Sequence, residues 1–249
     1  MFDYEVKIAQ NKKEIKQALR LRYEIFSQET DRVSRQAENQ LDVDDYDKFC
    51  DHLIVIDKTN NKIVGTYRLL LGSKVDKKIG FYSEKSFNIG NIKKLAVDGE
   101  MLELGRACIH HDYRDRLVIN LLWSGISKYI KHYNVRFVFG AVRLGTTQPL
   151  EVSRMFKLIK KKFYAPKDYR VYPKEANVFK GLDENVEIKD YIKDYQDIWR
   201  TLSPLAKGYL RAGVVVCGPP AVNPDFGSIV VFILLDVKTM SPSYKRHFF

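Results

Sequence analysis

The chain has 249 residues, 45% hydrophobic and 29% charged, with 42 Lys and Arg against 31 Asp and Glu for a formal charge of +11. That length suits one large domain or two small ones with a real core, and the composition excludes disordered and fibrous classes. The basic surplus favours an anionic partner, whether nucleic acid, a lipid surface or an acidic protein, without choosing among them.

Three cysteines, Cys50, Cys108 and Cys217, form no CxxC pair and are odd in number. A disulfide framework or zinc site is not expected, and a reducing cytoplasm fits. Met-Phe-Asp-Tyr-Glu-Val-Lys at the start lacks a basic segment followed by an apolar one, so no secretory signal is expected. No apolar run approaches the ~18–20 residues of a membrane span. The longest, Ile229 to Leu235, is strand-sized.

In chain order, residues 4–9 alternate as a short strand. Ile15, Leu19, Tyr23 and Phe26 then recur at helical spacing over 11–29, with Asn11 as N-cap and Glu14 three residues on. Residues 30–51 read as a long acidic loop carrying Asp42, Asp44, Asp45, Asp47 and Asp51. Leu53–Ile56 and Ile63–Leu71, separated by Asn60-Asn61, predict a hairpin. Residues 79–97 are mixed. A strand over 101–109, a basic loop over 110–117, a helix over 118–133 and a buried strand over 135–142 follow. Residues 149–163 predict a helix ending in Lys160-Lys161-Lys162. Residues 164–198 read as irregular, 202–211 as a helix, and 214–217 and 228–237 as strands. The order suggests one α+β domain over 1–249 around a mixed sheet, which 200–249 completes.

The strand at 101–109 carries the chemistry. Glu103 and Arg106 interrupt an apolar run, where charges are costly unless paired or used. Three residues apart, they face opposite sides of a regular strand, and sharing a face takes a bulge, which Gly105 permits. A reaction centre and a structural ion pair both fit this pattern. His110-His111 is a poor metal chelator because adjacent side chains diverge, and no HExxH is present. GxxxxGK[ST], GxGxxG and GxSxG are also absent, and nothing in the sequence matches a nucleic-acid motif. The basic loop before the helix at 118 could attract phosphate through the helix N-terminus.

Several segments together resemble the ornithine-lipid and N-acyl-amino-acid synthase branch of the GNAT-like acyltransferases, some of which carry a haemolysin-like description. They are Leu21-Arg-Tyr-Glu-Ile-Phe26, Asp44-Asp-Tyr-Asp-Lys-Phe-Cys-Asp-His-Leu53, Val64-Gly-Thr-Tyr-Arg-Leu-Leu70, Gly80-Phe-Tyr-Ser-Glu-Lys-Ser-Phe87, Leu102-Glu-Leu-Gly-Arg-Ala-Cys-Ile109, Tyr113-Arg114, Leu122-Trp123, Gly208-Tyr-Leu-Arg-Ala-Gly213, Asn223-Pro-Asp-Phe-Gly227 and Leu234-Leu-Asp236. A more distant likeness to acyl-homoserine-lactone synthases rests on Arg22 and Phe26, on Asp42, Asp44, Tyr46 and Asp47, on Arg68-Leu-Leu70, and on Glu103 and Arg106. The superfamily's glycine-bearing pyrophosphate loop is missing, since Arg114-Asp-Arg-Leu-Val-Ile119 holds no glycine. That departure suits a carrier-protein phosphopantetheine better than acetyl-CoA.

The resemblance implies a mixed central sheet flanked by helices and an acyl-carrier-protein-dependent N-acyltransferase. It would transfer a fatty acyl group, 3-hydroxylated or plain, to the α-amine of ornithine or a similar amino acid, giving a lyso-aminolipid. It implies Glu103 as general base, directly or through water, and a backbone N–H near Cys108 and Ile109 polarising the thioester carbonyl. Arg68 or Arg106 would hold the substrate carboxylate, and Asp44 and Asp47 would bind its ammonium or clamp Arg22. Arg114, Arg116 and Lys128 would meet the carrier and its phosphopantetheine. No bound cofactor or metal is implied. The partners are acyl carrier protein, the amino acid and peripherally an anionic inner membrane, not nucleic acid. An acyl-homoserine-lactone synthase and a non-catalytic membrane-active protein are the alternative readings.

Overall fold

The computed structural model describes residues 3–30, 39–114, 116–188, 193, 195–197, 199, 204–240 and 245. Its helices and strands are β1 (Tyr4–Ile8), α1 (Lys12–Thr30), β2 (Asp51–Asp57), β3 (Lys62–Leu71), β4 (Phe87–Asn88), α2 (Gly90–Leu95), β5 (Glu100–Ile109), α3 (Arg116–His132), β6 (Val135–Arg143), α4 (Pro149–Phe163), β7 (Tyr172–Pro173), α5 (Pro204–Ala212), β8 (Val215–Val216), β9 (Ala221–Val222) and β10 (Ile229–Asp236). The chain divides into two compact units: residues 1–80, 102–135 and 248–249, and residues 81–101 and 136–247.

In the first unit, β1, β2, β3 and β5 form an antiparallel run with a helix on each face. The start of α1 follows from its sequence: the Asn11 side chain accepts the Glu14 N–H at 3.0 Å, and the Glu14 carboxylate accepts the Gln10 N–H at 2.8 Å. Ala18, Leu21 and Ile25 recur on one helical stripe and bury against Ile54, Ile63 and Cys108. The opposite face of the sheet takes α3, and glycines let it approach. A Cβ on Gly65 would lie 2.9 Å from Val118, and one on Gly125 would lie 2.7 Å from Leu53 and 2.9 Å from Val6.

The β3–β5 register decides where the charges go. Leu70 pairs with Glu103, Arg68 with Gly105 and Thr66 with Cys108, so Tyr67 faces two residues, Arg106 and Ala107. This is a bulge. Its left-handed residue is Arg106, at φ 51°, rather than the glycine before it. Side chains alternate along a strand, but the extra residue resets the alternation, so Glu103, Gly105 and Cys108 share the face of Leu70, Arg68 and Thr66. That is the face α1 covers.

In the second unit, β10 pairs antiparallel with β6 from Val230–Arg143 to Asp236–Phe137, while β8 and β9 pair with β10. Phe232 stacks on Phe139 and meets Phe87 edge-on. Arg136 joins Asp98 at 3.2 Å to Asp236 at 2.8 Å, and the Tyr169 hydroxyl donates to Asp236 at 2.9 Å. β4 pairs with β7.

The stretches expected to be mixed or irregular, 79–97 and 164–198, contain α2, β4, β7 and several single turns. Two-residue strands and a six-residue helix are too short to leave a periodic pattern. No described helix is long and apolar enough to cross a membrane.

The tight α3–sheet contact makes a direct prediction. Gly125→Val forces side chains into Leu53 and Val6 and should cost about 1–3 kcal/mol of stability, read as a lower urea midpoint at unchanged m-value.

Candidate active site

Three arginines and three aspartates in the first unit close into a ring of alternating charge. Arg22, on α1 and 0% exposed, donates from Nε to Asp42 Oδ2 at 2.8 Å and grips Asp47 with two bonds of 2.6 and 3.2 Å. Arg68, on β3, donates to Asp44 at 2.6 Å and to Asp47 at 3.4 Å. Arg106, at the bulge of β5, donates to Asp44 at 3.0 Å and lies 3.6 Å from Asp42. Each aspartate thus bridges two arginines, and the formal charges cancel.

The loop carrying the aspartates is built to present them. Asn39 and Gln40 both take left-handed backbone, at φ 56° and 59°. The Asp44 carboxylate then caps the Tyr46 N–H at 3.0 Å and the Asp47 carboxylate caps the Asp44 N–H at 2.8 Å. The Tyr46 ring lies against the Arg68 guanidinium at 5.6 Å.

Burial alone would raise the carboxyls of Asp44 and Asp47. For Asp44 the facing guanidiniums of Arg68 and Arg106 outweigh it, and for Asp47 those of Arg22 and Arg68 do, so both stay ionised well below the usual carboxylate range. Burial would likewise depress Arg22 and Arg68, but the aspartates hold both guanidiniums charged.

Glu103 sits on the ring's face of the sheet and is buried. Around it, the strand is less covered than its neighbours: residues 104–107 are half-buried, whereas β3 is buried from Ile63 to Leu71. The bulge that the sequence allowed is present, Arg106 reaches the ring from it through Asp44, and the residue with left-handed backbone is Arg106 rather than Gly105.

Of the other residues singled out from sequence, Cys108 packs in the apolar cluster under α1, and the Ile109 carbonyl accepts from Arg114 Nε at 3.3 Å. Arg114 is exposed on the approach to α3. The Arg116 side chain lies outside the described residues. Lys128 is not brought to the same place. It sits twelve residues along α3 from Arg116, about 18 Å at the helical rise.

One ring member, which the sequence shows only within the pattern of the distant likeness, and two ring neighbours were not read as site residues. Asp42 closes the ring. Half-buried Cys50 feels the charges of Arg68, Asp47, Asp44 and Glu103; burial is the largest influence and its thiol is pushed up to about 12, leaving it protonated at neutral pH. His52 pairs across the ladder with Arg68, is buried, and is held neutral by burial and by Arg22 and Arg68 against the pull of Asp47. The alternation Cys50, His52, Ile54 was the available signal.

One expectation fails. The rings of His110 and His111 do not diverge but stack at 4.3 Å, and with Asp112 they bring ligand atoms within 4.8 Å of one another. His110 caps the turn that starts at His111, which folds the pair together. Lys62 Nζ lies 2.7 Å from His110 Nε2, on the side of the ring away from the Nδ1 that faces Asp112.

Residues 21–124 match the family model described as an acetyltransferase (GNAT) domain, a span that includes the whole ring and Glu103. The fold is GNAT-like. Along 98% of this chain and 88% of its own length, a Brucella abortus (strain 2308) protein named L-ornithine N(alpha)-acyltransferase is 28% identical. Among solved structures, FeeM, an N-acyl amino acid synthase from uncultured soil microbes, superposes at TM-score 0.54 with 8% identity over 96% of this chain and 94% of its own. The AHL synthase LasI superposes at 0.51 with 11% identity, covering 94% and 90%.

The ring sets an acid limit on stability. Because Asp44 and Asp47 have depressed folded values, their contribution is complete above the ordinary carboxylate pKa of ~4 and is lost as pH falls below it. Acid unfolding should therefore begin below about pH 4, and Asp44→Asn should flatten that limb. The same variant leaves two buried guanidiniums short of a partner, which should cost about 3–5 kcal/mol in urea unfolding at neutral pH.

Proposed function

We propose that this chain is an N-acyltransferase that moves a fatty acyl group, 3-hydroxylated or plain, from acyl carrier protein to the α-amine of an amino acid, with ornithine the first acceptor to test. The observation that carries the reading is similarity to L-ornithine N(alpha)-acyltransferases over 98% of the chain. The GNAT-matching segment supports it by containing an ionisable Glu103 at an opened, bulged strand.

In this reading the amino acid's α-ammonium first releases a proton to solvent, and the free α-amine attacks the thioester carbonyl. The C–N bond forms, the C–S bond breaks, and the phosphopantetheine sulfur leaves as a thiolate. Glu103 takes the proton that the attacking nitrogen loses, directly or through water, and passes it to the departing sulfur. Backbone N–H groups of β5 toward Cys108 and Ile109 polarise the carbonyl. The side chains of Arg106 and Asp44 are 11% and 13% exposed, against 0% and 5% for Arg22 and Arg68. That edge of the ring presents a cation beside an anion, which matches the carboxylate and ammonium of an amino-acid zwitterion. Arg22, Asp47 and Arg68 then act as scaffold.

No resident cofactor is required in this reading. The chain acts in the cytoplasm, and its basic surplus, with Arg114 just before α3, steers the acidic carrier.

The test is purified protein with acyl carrier protein loaded with 3-hydroxypalmitate and a panel of amino acids, read by mass spectrometry. Amide product is expected, falling about 10²–10⁴-fold in Glu103→Gln and declining at high salt. Unchanged turnover in Glu103→Gln contradicts the assignment, and product that requires S-adenosylmethionine moves the chain to lactone synthesis.

A further inference from the structure

One buried ionisable side chain beside the ring takes no part in it. His52 lies on β2 in one cross-strand row with Arg68 and Gly105. It is 2% exposed, and neither ring nitrogen has a hydrogen-bond partner among the described residues. The Asp47 carbonyl on its flank is taken by the Cys50 N–H at 3.3 Å. Arg68 leans the other way along the row: a Cβ on Gly105 would lie 3.7 Å from its Nε and 3.8 Å from its Nη2. Nη1 of the same guanidinium meets Asp44 at 2.6 Å.

Burying hydrogen-bonding groups unpaired is costly, and an aliphatic side chain would fill the place without that cost. The charges around His52 account for the imidazole. Arg22 on α1 and Arg68 on β3 act on it as cations, Asp47 on the acidic loop acts as an anion, and Cys50 on its own strand stays a neutral thiol. The three arginines and three aspartates of the ring already cancel, so a carboxylate here would upset the balance. An aliphatic group would offer the guanidiniums nothing. A neutral imidazole adds no charge, yet it can turn a lone pair toward cations in a low-dielectric interior, where a dipole counts for more than in water.

We propose that His52 is a positioning residue for acyl transfer: its uncharged imidazole backs Arg68 from the β2 side and keeps that guanidinium over Gly105 and on Asp44. The inference deepens the acyl-transfer reading and rests on it, because Asp44 is there the carboxylate that meets the substrate ammonium. A protonated His52 would set a third cation beside Arg22 and Arg68 and work against the arrangement. Burial and those two arginines hold the imidazole below its ordinary value, so the unfolded chain takes up a proton that the folded one refuses. Stability is therefore lost as pH falls below the ordinary histidine value of ~6.5, a window above that of Asp44 and Asp47.

The test joins nitrogen NMR and urea unfolding of the full chain with the amide assay. At about pH 6, just below the ordinary histidine value, the His52 ring should give the signals of one neutral tautomer. Below about pH 6.5 the folding constant of the wild type should fall more steeply than that of His52→Gln, by up to about tenfold per pH unit. The Arg68 Nε–H resonance should move in His52→Leu and hold its place in His52→Gln. In the amide assay His52→Leu should raise KM for the amino acid about tenfold, and His52→Gln, which keeps a neutral polar group, should stay near wild type. A side chain that only fills space would favour Leu over Gln. A Leu variant as active as Gln, an unmoved Arg68 resonance in the Leu variant, a protonated His52 at that pH, or parallel unfolding profiles overturns the proposal. If the wild type forms no amide, the acyl-transfer reading fails, and the Arg68 resonance still decides whether His52 positions it.

Discussion

The Arg22–Asp42–Arg106–Asp44–Arg68–Asp47 ring is the constraint on which the rest of the first unit depends. Through side chains it links a helix, an acidic loop and two strands. Desolvating six charges costs several kcal/mol per ion, and the mutual attraction offsets that only when every partner is present and well oriented. The ring is thus all-or-none. Its value lies in specifying one arrangement of the acidic loop against the strand that carries Glu103, more than in net stability.

The bulge is what lets the strand join the ring. Without the extra residue at Arg106–Ala107, Arg106 would face away from Glu103 and from α1. Holding a non-glycine residue at φ 51° costs about 1–3 kcal/mol, and the two aspartates meeting its guanidinium offset it. Strain concentrated at the one residue that is both ring member and Glu103's neighbour is where a functional constraint is expected, and it explains why a glycine at that position would relax the backbone but break the ring.

Much of this was legible in the residues. The helical stripe of α1, the hairpin of β2 and β3, the run into β5 and the 149–163 helix follow from periodicity and turn chemistry, because each is long enough to show its period. The unusual pair Glu103 and Arg106 stood out because charge in an apolar strand is costly. What could not be read was partnership. Spacing alone does not say that Asp42 closes the ring or that Arg68 and Arg106 are both engaged by aspartates, since those contacts cross 20 to 64 residues of sequence. Nor could it place the strain on Arg106 instead of Gly105, or fold His110 onto His111. The short elements α2, β4 and β7 depend on tertiary contacts such as Asn91 with Arg170, which leave no local pattern.

The direct measurement of the ring's role is a double-mutant cycle on amide formation with Asp44→Asn and Arg106→Gln, each variant checked for folding by circular dichroism. If the two act as one unit that positions the strand and the amino acid, each single variant loses most of the activity and the double variant is little worse than either. Losses that multiply, with the two residues contributing independently, would contradict the closed ring as the element that organises the site.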